Sequence, residues 1–98
     1  MESGLFNISS ATTTTLIEKN TVSGNIKSIS IANCNTSHAV TVKLYLDDDT
    51  NQTSYIENVV IPTATTLVLD HNISFDNSVL ALKLTTEGTS PDINVIIK

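Results

Sequence analysis

The run Ala39–Leu46, AVTVKLYL, constrains the fold more than any other stretch, because Val40, Val42, Leu44 and Leu46 alternate with Thr41, Lys43, Tyr45 and Asp47. A period of two puts all four apolar side chains on one face of a strand, whereas a helix would scatter them around its circumference. Branched and aromatic residues in this order suit a pleated, half-buried surface. The same alternation recurs at Ile29 and Ile31, at Leu67 and Leu69, at Leu80, Leu82 and Leu84, and at Ile93, Val95 and Ile97. With Val40, Val42 and Leu44 these residues form the predicted core. Short apolar runs divided by turn residues at roughly even spacing predict an all-β fold, an antiparallel β-sandwich or jelly roll of about eight short strands. The 98 residues suffice for one core and not for two, so a single domain spans residues 1–98, with 1–10 as an N-terminal arm.

Composition narrows the partners. Only five lysines and arginines stand against ten acids, a net charge of -5, so no basic patch exists to neutralise phosphates and nucleic-acid binding is not expected. Ser and Thr supply about a quarter of the chain, which favours strands and turns. Cys34 is the single cysteine, so an intrachain disulfide scaffold is excluded. The opening MESGLFNISS has an acid where a secretory signal carries positive charge, and its apolar run is too short for a membrane span; the expectation is synthesis in a cytoplasm and no membrane partner. Four Asn-x-Ser/Thr tripeptides, starting at Asn7, Asn35, Asn51 and Asn72, are the chance yield of a chain this rich in those residues.

The connections carry the remaining expectations. Leu5, Phe6 and Ile8 give the arm an apolar character, and the arm can pack on its own sandwich or add to the exposed edge of a neighbouring copy. Ser23, Gly24 and Asn25 supply turn chemistry before Ile26–Asn33. The short polar link Asn33–Ser37, NCNTS, predicts an antiparallel hairpin between that strand and Val40–Leu46. A regular hairpin across the acidic tip Asp47–Ser54 sets Tyr45 opposite Tyr55 and Lys43 opposite Glu57, with Ile56 and Val60 inward. Val59 and Ile61 then face outward, which calls for a bulge near Asn58 or for cover by another chain. Ile26, Val68 and Ile96 fall on the same outward parity, and strands apolar on both sides suggest an assembled protein.

No chemical constellation emerges. Asp47, Asp49 and Asn51 match the first three ligand positions of a calcium loop, but Gln52 stands where Gly is required and Asn58 where a bidentate Glu is required, so no metal is expected. His38 and His71 lack a placed nucleophile, and Asp70 and His71, as neighbours in an extended chain, point to opposite sides. There is no phosphate loop or nucleophile elbow, so the chain is read as non-enzymatic and free of cofactors. A carbohydrate-binding sandwich is the competing class, and only Tyr45 and Tyr55 could form its aromatic platform.

The segments SISIANCNTSHAVTVKLYLDDDT, YIENVVIPTATTLVLDHNISFDN and DINVIIK resemble small virion structural proteins of tailed bacteriophages, especially those of marine cyanobacterial phages. The similarity covers most of the chain after Ile26. It implies a non-enzymatic β-sandwich made in the bacterial host cytoplasm and located in the virion. Its implied partners are other virion proteins, as a homo-oligomer or an assembly on a capsid or tail. Capsid decoration stands first, and neck, tail and fibre-associated positions are the alternatives. The candidate contact residues are Leu5, Phe6, Ile8, Tyr45, Tyr55, Val59 and Ile61.

Overall fold

A computed structural model describes residues 4–20, 25–70 and 72–98. Ten strands form there: β1 Gly4–Ile8, β2 Thr13–Ile17, β3 Asn25–Ile26, β4 Ile29–Asn33, β5 Val40–Asp47, β6 Gln52–Ile61, β7 Thr66–Leu69, β8 Ile73–Ser74, β9 Ala81–Glu87 and β10 Ile93–Ile97. Eight of them make two four-stranded antiparallel sheets, ordered β1-β10-β4-β7 and β2-β9-β5-β6, and β3 pairs with β8. The fold is therefore the expected all-β sandwich. The turn expected at Ser23 and Gly24 lies outside the described residues, as does His71.

Each sheet turns one face to the other, and the core fills the space between. Ile29, Ile31, Val40, Val42, Leu44, Leu82, Leu84, Ile93, Val95 and Ile97 are buried there as the alternation predicts. Leu67 and Leu69 also pack on the core but are half-buried, because β7 is an edge strand. Leu80, expected in the core, is half-buried just before β9.

Several expectations needed correction. The β4–β5 hairpin does not form: β4 pairs with β10 and β7, whereas β5 pairs with β6 and β9 in the opposite sheet. NCNTS is thus a crossover between sheets. Asn33 explains the crossover, since its buried Nδ2 donates to the carbonyls of His38, Ile61 and Pro62 at 3.1, 3.1 and 3.2 Å. Asn35 completes the bend, accepting the amides of Ser37 and His38 on its Oδ1 at 2.7 and 3.0 Å. Buried amides are normally paired, and the Asn33 amide finds these partners where the chain crosses to the other sheet.

The N-terminal arm is an ordinary strand. β1 runs antiparallel to β10 from Gly4↔Ile97 to Ile8↔Ile93, so its inward residues join the core of the same chain. Ile26 is fully buried, contrary to its outward parity, because the chain leaves the ladder at Lys27 and Ser28 and the alternation restarts at Ile29. Ile61 is buried for a related reason. The β5–β6 register shifts between Val42↔Val59 and Leu44↔Ile56, leaving two residues, Glu57 and Asn58, opposite Lys43. Asn58 sits at φ 51°, as a bulge requires, and the reset turns Val59 and Ile61 to the inner side. Of the two remedies for β6, the bulge is the one adopted.

Candidate interaction surface

The two outer faces differ in chemistry. The strands of the first sheet read GLFNI, INVII, ISIAN and TLVL, without one charged residue. Register places their outward side chains in two rows: Leu5, Ile96, Ser30 and Val68, then Asn7, Asn94, Ala32 and Thr66. Leu5 is 77% exposed, Val68 54% and Ile96 39%. Between β1 and β10 the surface dips into an open depression of about 250 Å³ lined by Leu5, Phe6, Asn7, Asn94, Val95 and Ile96. The Asn94 amide also donates to Cys34 Sγ at 3.3 Å.

The other outer face is charged and hydroxylated. Its strands carry Lys43, Asp47, Glu57, Lys83 and Glu87. Lys83 pairs with Asp47 at 2.9 Å and Lys43 with Glu57 at 3.8 Å, while Lys19 pairs with Asp49 at the hairpin tip. Thr13 and Thr85 meet across β2 and β9 at 3.1 Å. The Lys83 hydrogen bond, then the Asp49 amide, hold the Asp47 carboxyl below the usual carboxylate range, and the same bond to Asp47 raises the Lys83 ammonium.

The hairpin tip uses its acids internally. Asp47 Oδ1 accepts the Asp49 amide at 2.9 Å, and Asp48 Oδ1 accepts the amides of Thr50 and Asn51 at 2.9 and 2.6 Å. These are Asx turns, in which the carboxylate folds back on its own backbone. The described residues contain no cluster of three His, Cys, Asp or Glu side chains arranged to hold a metal ion. No helix among them is long and apolar enough to cross a membrane.

The seven candidate contact residues separate. Leu5, Tyr55 and Val59 are exposed, although Val59 lies on the inner-facing side of an edge strand. Phe6 is half-buried against the core, and its ring occupies the space beside Gly4 that a side chain there would need. Ile8, Tyr45 and Ile61 are buried at 5%, 5% and 2% exposure and offer no surface to a partner. For Ile8 the cause is pairing with β10, and for Ile61 the bulge. Tyr45 does point outward, but the Lys43 ammonium stands 5.2 Å above its ring and Lys83 is its cross-strand neighbour. The expected Tyr45–Tyr55 pair is replaced by Tyr45↔Ser54, because a second shift carries the register from Leu44↔Ile56 to Tyr45↔Ser54; the Lys43–Glu57 pair does form.

The row of Leu5, Ile96 and Val68 was half legible. Val68 and Ile96 stood out by parity, but only the register between distant strands brings Leu5 alongside them. No family model and no curated protein matches the chain. Among solved structures the chain is similar to a crystal structure of PirA, with a TM-score of 0.57, 12% identity, and coverage of 96% of this chain and 90% of that one. At that identity the likeness is one of fold alone.

Proposed function

We propose that the chain is a non-enzymatic virion structural protein whose uncharged outer face, Leu5, Ile96, Ser30 and Val68 with Asn7, Asn94, Ala32 and Thr66, packs against other virion proteins. The observation that carries this reading is the charge asymmetry between the two sheets. A solvated sheet face normally holds charged side chains, and a face with none and three exposed aliphatics is suited to being covered. Capsid decoration is the first assignment, and a neck, tail or fibre-associated position is the alternative. The sequence resemblance to small phage virion proteins supports the setting. A sugar-binding role finds less support, since Tyr45 lies beneath Lys43 and forms no stacking platform with Tyr55.

Mass spectrometry and immunogold labelling of purified virions from the phage that encodes the gene test this directly. The protein is expected in stoichiometric amount on the particle, and a Val68→Lys, Ile96→Lys variant is expected to fold and yet fail to incorporate. Virions without the protein, or full incorporation of that variant, would reject the assignment.

A further inference from the structure

We draw no further inference here: the strongest candidate, the outer edge of β1 with the open depression beside it between β1 and β10, belongs to the uncharged face already described, and nothing in the structure shows what covers it.

Discussion

Asn33, at the end of β4, donates its side-chain amide to the carbonyl of Ile61, at the end of β6, at 3.1 Å, and so ties one sheet to the other through a buried hydrogen bond. The same amide group holds His38 and Pro62, and Asn33 Oδ1 accepts the Asn35 amide at 3.0 Å. Removing it takes a donor from the buried contact with Ile61 and from the part-buried contacts with His38 and Pro62. Asn33→Ala is expected to lose about 1–3 kcal/mol of unfolding free energy. Urea denaturation measures this, and a loss under 0.5 kcal/mol would show that the crossover is held by other contacts.

Leu44 and Leu82 are almost wholly buried on neighbouring central strands, β5 and β9, of the charged sheet. Truncation of either to Ala is expected to cost about 2–5 kcal/mol, as buried leucines do when the cavity cannot collapse. Val60, exposed on β6, serves as the control and should change stability by less than about 0.5 kcal/mol. Equal effects at all three positions would mean that the inner and outer faces of this sheet are wrongly assigned.

Acid should destabilise the protein at its hairpin tip and at the turn before β9. Asp47 is held low by Lys83 and by the Asp49 amide, Asp48 by the amides of Asn51 and Thr50, and Asp76 by the hydroxyl and then the amide of Ser78. A carboxylate whose folded value lies below its unfolded value of about 4 contributes stability that is present above that value and is lost as pH falls through the folded one. Lys83 behaves in the opposite sense: its raised folded value means that stability declines only as pH rises through it, beyond about 10. The urea midpoint should be level across neutral pH and drop below about pH 4. Lys83→Met should make that drop smaller, since Asp47 then has less to lose. An acid limb identical in both proteins would remove the Asp47–Lys83 pair from the explanation.

Calcium should leave the melting temperature unchanged. Asp47, Asp48 and Asp49 already serve Lys83, Lys19 and the backbone of their own loop, so an ion would have to displace those partners. A ligand that binds only the native state at a hundred times its dissociation constant adds about 2.7 kcal/mol, which a thermal melt detects readily. A clear upward shift at submillimolar calcium would show that the loop rearranges into a site.

Alternation along the chain determined by itself the class of fold, the strands and most of the core, because the two-residue period of a strand is a local property and a half-buried sheet needs apolar residues on one side only. It also flagged β6, where two apolar parities collide within one strand and call for a bulge near Asn58 or for cover by another chain, and the structure has the bulge. Tertiary structure decided which strands are neighbours. Asn33–Ser37 has the length and polarity of a hairpin turn, yet the chain crosses to the other sheet, where the Asn33 amide meets the carbonyls of His38, Ile61 and Pro62. Tertiary structure also decided the surface. Leu5, Ile96, Ser30 and Val68 are far apart in the chain, and they form one row because antiparallel registers among β1, β10, β4 and β7 align them. Registers between distant strands depend on the packing of the whole core, and no local period encodes them.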